Sequence, residues 1–139
     1  MAKIAGRQSN FQIKDSGGTL RDLSASITNV DFPREVAVLE TTGLGETDRK
    51  FIVGLKGATI SISGNWDAAT NNVDSVLDGI LAVADRDFQY GPEGTASGKV
   101  KYTGTAIESR YTAGSPVDGV VSFSADFTIN GAVTRGTFA

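Results

Sequence analysis

Few side chains in this sequence can do chemistry. Its 139 residues include no His and no Cys. That removes the commonest general base, the triads built on it, thiolate nucleophiles and Cys-based zinc sites. Carboxylates, hydroxyls, amines and glycine-rich turns remain. Gly94-Thr95-Ala96-Ser97-Gly98-Lys99-Val100 has the outline of a phosphate-binding loop, but it is one residue short between its glycines. Val100 also stands where a hydroxyl would ligate magnesium, and a strand follows where a helix should. Gly43-Leu44-Gly45 opens like a dinucleotide fingerprint, then runs on as Glu46-Thr47-Asp48 with no third glycine.

Asp85-Arg86-Asp87 offers two carboxylates to a hard cation, yet neighbouring strand side chains point to opposite faces. No acidic run or closing Glu completes an EF-hand, so the segment reads as a helix exit into a strand. The 16 acidic residues are scattered, which makes a glycosidase pair an accident of spacing unless a cleft assembles it. A Ser-Lys dyad would need a strained elbow of the Gly-x-Ser-x-Gly type, which the sequence lacks. Trp66 with Tyr90, Tyr102 and Tyr111 could form a sugar-stacking platform, but Trp66 falls at the end of an apolar strand. The expectation is a protein that is not an enzyme, with no cofactor, metal or small-molecule substrate.

The 13 basic residues leave a net charge of −3 and form no run that would hold nucleic acid. The amino terminus lacks the apolar core of a signal peptide. No apolar stretch approaches the roughly 20 residues of a membrane helix. The expectation is a soluble protein kept where it is made, with no membrane partner.

The elements that must position any site are mostly strands. Val121, Phe123, Ala125, Phe127 and Ile129 alternate with Ser122, Ser124, Asp126 and Thr128, a half-buried strand over Ser122 to Ile129. Asn130-Gly131 then predicts a type I′ hairpin that folds Ala132 to Phe138 back as the last strand. A second alternating run, Ala58 to Trp66, points Ile60, Ile62 and Trp66 inward and leaves the neutral Thr59, Ser61 and Ser63 outside. Further strands are expected over Asn10 to Lys14, Asp22 to Val30, Glu35 to Thr41, Phe51 to Leu55, Asp87 to Tyr90 and Lys99 to Ser109. Val73, Val76, Leu77, Ile80, Leu81 and Val83 instead follow a helical period, so residues 72–84 are expected to form an amphipathic helix. Asn71 or Asn72 would cap it, while Gly79 weakens it by about 1 kcal/mol relative to Ala. The fold class is mainly β: one domain over residues 1–139, a sandwich or barrel with a single flanking helix.

One connection is too long for a tight hairpin. Thr41 to Lys50 carries two glycines, four charges and no period. Long polar loops in compact domains are either mobile or binding elements.

Between Thr19 and Asp67 the sequence resembles the tail tube (major tail) proteins of long-tailed bacteriophages. The likeness begins with Gly18-Thr19-Leu20-Arg21-Asp22-Leu23-Ser24 and continues through Val30-Asp31-Phe32-Pro33-Arg34. It extends over Leu39-Glu40-Thr41-Thr42-Gly43-Leu44-Gly45-Glu46-Thr47 and Phe51-Ile52-Val53-Gly54-Leu55-Lys56-Gly57. It closes with Ile60-Ser61-Ile62-Ser63-Gly64-Asn65-Trp66-Asp67, and beyond that the strands match only in general pattern.

The resemblance implies a small β-sandwich with one helix, tail-tube-like in fold. It implies hexameric rings, joined through their sheets into an inner barrel and stacked into a genome conduit. A long loop at residues 40–51 and an N-terminal arm at residues 1–10 would clamp neighbouring subunits. Glu40, Thr42, Gly43, Leu44, Gly45, Glu46, Asp48, Arg49, Lys50 and Phe51 are then the loop contacts, with Ile4, Arg7 and Phe11 for the arm. The implied partners are further copies of the chain, a tape measure protein and a terminator, with DNA passing through the lumen unbound. The implied location is the virion tail, assembled in the host bacterial cytoplasm. A terminator or head–tail connector ring is the neighbouring alternative, and a carbohydrate-binding β-sandwich the alternative from another class.

Overall fold

The computed structural model describes residues 5–139. A short 3-10 turn (Gly6–Gln8) leads into β1 (Asn10–Lys14), β2 (Leu20–Asp22), β3 (Ile27–Asp31), β4 (Arg34–Glu40) and β5 (Phe51–Asn65). Helix α1 (Val73–Ile80) follows, then β6 (Arg86–Gly91), β7 (Val100–Gly114), β8 (Ser122–Ile129) and β9 (Thr134–Thr137). The fold is mainly β, with antiparallel pairing throughout and one helix among the described residues. The sheet order is β2-β1-β6-β7-β8-β5-β3, with β4 added to β5 and β9 to β7. The sheet curls, because Phe11 of β1 reaches Phe127 of β8 with ring centroids 6.2 Å apart. Ile13, Leu23, Ile60, Ile62, Phe88 and Phe123 fill the space inside the curl.

Helix α1 closes that space with Val73, Val76, Leu77 and Ile80, the apolar stripe expected from its period. Asn72 caps it by accepting the Val73 N–H at 2.8 Å. The helix is shorter than residues 72–84, for Leu81 is already extended and Ala82 takes φ 69°. Gly79 and the acidic Asp78 both disfavour continuation at the negative end of the dipole.

Strand β8 forms over the expected residues, and its inward set is buried in alternation. Three other expectations change. Asp22 to Val30 is two strands, because Ser24 N–H bonds to Asp22 Oδ1 and Ser24 Oγ accepts from Phe11 N–H, diverting the ladder. Phe51 to Leu55 and Ala58 to Trp66 are instead one strand, β5. Val36 pairs with Lys56 while Val38 pairs with Val53, so Gly54 and Leu55 together oppose Ala37. This bulge shifts the alternation by one residue and splits the pattern in the sequence.

The third change concerns the carboxyl end. No type I′ turn forms, since Asn130 is not among the residues with positive φ. Asn130 N–H instead bonds to Thr105 O, and the Thr105 hydroxyl donates to Asn130 O at 2.7 Å. Strand β9 therefore continues in the direction of β8 and pairs with Val100 to Thr103 of β7. A strand as long as β7 can hold both segments end to end along one edge.

Candidate assembly surface

Strand β4 and the first seven residues of β5 leave the body as a ribbon. Every residue of β4 is exposed, and β5 becomes buried only from Ile60 onward. Directly opposed residues share a face, so Val36, Val38, Val53 and Phe51 lie on one side of the ribbon. Leu39 and Ile52 lie on the other. All six are large, apolar and exposed, with Val53 at 76% and Leu55 of the bulge at 89%. Strands apolar on both faces are the pattern of strands covered on both faces. A two-stranded ribbon is also marginal on its own in water. Among the described residues, none covers either side.

Local chemistry explains why the ribbon still forms. At its tip, Arg49 donates from Nε and Nη2 to both Glu40 oxygens at 3.0 and 3.1 Å. The Thr42 hydroxyl donates to the same carboxylate and accepts Lys50 N–H at 2.9 Å. Glu46 accepts Gly43 N–H and pairs with Lys50 Nζ at 2.9 Å. Gly45 sits at φ +86°, a turn conformation that side chains resist. The Arg49 guanidinium also lies 5.5 Å from the Phe51 ring centroid. The Arg49 hydrogen bonds, then Thr42, hold the Glu40 carboxyl below its usual value; Lys50 and Gly43 do the same for Glu46. The connection at residues 41–50 is thus a stapled tip that carries Leu44 fully exposed.

The loop residues expected at a subunit contact are therefore gathered at one place, with Asp48 exposed beside them. The arm residues are not. Ile4 lies outside the described residues. Arg7 is exposed in the 3-10 turn. Phe11 corrects the expectation: it is 1% exposed, packed on Phe127 inside the curl. Its inward register on β1 makes it a core residue. The apolar faces of β4 and β5 were missed in the sequence, although Val36, Val38, Leu39, Ile52 and Val53 carry the signal, because the bulge hides their arrangement.

The aromatic residues do not make a sugar platform around Trp66. Its indole N–H donates to Asp74 Oδ1 at 3.2 Å and to the Tyr111 hydroxyl at 3.1 Å, and its ring packs against the core. Tyr90 and Tyr102 stack on each other and meet Phe32 edge-on, with Arg34 4.8 Å above Tyr102. Among the described residues no acidic group gathers three metal-ligating side chains. Asp85 donates nothing to a cation site; its carboxylate accepts from Asn130 Nδ2 at 2.7 Å. The segment Gly94 to Val100 is a turn in which Val100 N–H is held by Glu93, not an open cradle.

Comparison with known proteins gives no matching family model and no matching curated sequence. Solved structures do match. The chain is similar to a subunit from the tail of an empty gene transfer agent particle refined with C6 symmetry, at 15% identity and TM-score 0.81, covering 97% of this chain and 100% of that one. It is similar to the SPP1 tail tube protein at 11% identity and TM-score 0.77, covering 99% and 81%. A chain of the sheath–tube complex of an extracellular contractile injection system aligns at 10% identity and TM-score 0.69, covering 98% and 93%. The fold of this chain is the tail tube fold.

Proposed function

We propose that this chain is the structural subunit of a tail tube, and that its copies form rings, hexameric in the simplest case, which stack into the conduit for genome delivery. The observation that carries the reading is the ribbon of β4 and β5, apolar on both faces and covered on neither by the described residues. Burying it against further copies would take about 25 cal/mol per Å² of apolar surface out of water. Ribbon and body are different surfaces, so a contact between them is head-to-tail, which closes into rings or propagates as a stack. The tail tube fold supports the same reading.

In the assembled particle the chain belongs to the virion tail, after assembly in the host cytoplasm, with tape measure and terminator proteins as its other partners. A net charge of −3 and the absence of a basic run suit a lumen through which DNA slides without counterion-release binding. The protein acts as a scaffold and not as an enzyme. Electron microscopy of the purified chain tests this: tubes or stacked rings are expected. A lone ring at all concentrations would favour the terminator reading, and a monomer at all concentrations would defeat both.

A further inference from the structure

Glu108 is 3% exposed, and neither oxygen of its carboxyl has a hydrogen-bond partner among the described residues. Such groups are rare in folded proteins and call for an explanation. Its place follows from register: Glu108 opposes Phe127 of the core, and Ser109 after it is the extra residue of a bulge in β7. The inward side of β7 packs beneath α1. There the titratable neighbours are all acidic or phenolic. Helix α1 presents Asp74 and Asp78, and β7 itself presents Tyr111, whose hydroxyl donates to Asp74 Oδ1 at 3.0 Å. On β8, Phe127 is apolar, and Asp126 pairs across the bulge with the outward Arg110. On β6, Arg86 spends its guanidinium on the carbonyls of Asp15, Ala84 and Asp85. No ion pair joins a cation to Asp74, Asp78 or Glu108 among the described residues.

The helix above this carboxyl is held at strained ends. Asn71 precedes it at φ 64°, and Ala82 and Asp85 follow at φ 69° and 26°. Eight residues between left-handed positions form a short unit whose apolar stripe, Val73, Val76, Leu77 and Ile80, seats it on the core, so a charge beneath it acts on that seat.

We propose that Glu108 is a proton-operated latch for α1: the neutral acid lets the helix sit tightly on β7, and the carboxylate, facing Asp78 with no cation to answer it, loosens that seat. Burial, and then the charge of Asp78, push the Glu108 carboxyl up to about 8. The folded-state value is raised, so the stabilising proton is fully bound below the ordinary Glu range and lost as pH rises through about 8. The inference concerns one chain and is independent of assembly.

The test follows Trp66, whose indole is bonded to Asp74 of the helix. In the wild-type protein, raising the pH from about 6 to about 9.5 is expected to red-shift Trp66 emission and strip α1 amides of exchange protection. Tyr111 does not confuse the reading, since burial and its bond to Asp74 push its hydroxyl up to about 12. Glu108→Gln, which mimics the neutral acid in shape, is expected to hold both signals constant over that range. Asp78→Asn, at an exposed position, should move the midpoint towards lower pH, because it removes a negative charge that raises the Glu108 value. A Glu108→Gln profile that coincides with wild type overturns the latch. If that variant does not fold, an unmoved midpoint in Asp78→Asn, or a carboxyl carbon of Glu108 already ionised at neutral pH by NMR, overturns it.

Discussion

Gly64 shows how much a single position can fix. A Cβ built there would strike the carbonyl oxygen of Ser26 and lie 2.8 Å from Ile27 Cα, both backbone atoms of the adjoining strand entry. Neither can give way without opening the pairing of β3 and β5. Gly64→Ala is expected to destabilise the fold by about 3 kcal/mol, read by urea denaturation, against the small effect of Gly57→Ala, where nothing lies within 4 Å. The carboxylates of the ribbon tip behave differently. Glu40 and Glu46 have folded-state values held below their usual ones by Arg49 and Lys50. Their contribution is present above the ordinary Glu range and is lost as pH falls through the lowered values. Loop amide signals of Gly43 and Lys50 in NMR are therefore expected to broaden or shift on acidification, and the same change should follow added salt at constant pH.

At the scale of elements, legibility followed uninterrupted alternation. β8 was readable residue by residue because no bulge breaks Ser122 to Ile129, and α1 because Val73, Val76, Leu77 and Ile80 keep one period. Bulges erased the rest: Gly54 and Leu55 divided β5 in the sequence, and Ser109 concealed that Glu108 shares the inward side with Ala106 and Tyr111. The partner of β9 was unreadable for another reason, since Asn130-Gly131 signals a reversal and only the length of β7 offers the alternative. The connection at residues 41–50 is legible as an unpatterned run, while its staples require cross-strand geometry. Removing Thr42 to Lys50 is expected to leave a folded monomer, by circular dichroism, that forms no tubes in micrographs. The double change Leu39→Ser with Ile52→Ser should do likewise while shifting monomer stability by only about 0.5 kcal/mol, because both side chains are exposed in the single chain.

The whole molecule divides into a body whose apolar core is closed and a ribbon whose apolar faces stay open. Inside the curl, Phe11, Phe127, Ile60, Ile62 and the stripe of α1 form one closed core. Outside it, the chain carries apolar residues on both faces of a two-stranded extension ending in Arg49 and Lys50. That geometry also sets a clock. Exposed tips with small and polar residues are where proteases cut, and this one displays two adjacent basic residues beside Gly43 and Gly45. Trypsin is expected to nick newly purified protein first at Arg49 or Lys50, and to lose that cut as the ribbon becomes covered. On the proposed reading, the fraction of chains that trypsin still cuts at the tip counts the subunits that have not yet been incorporated.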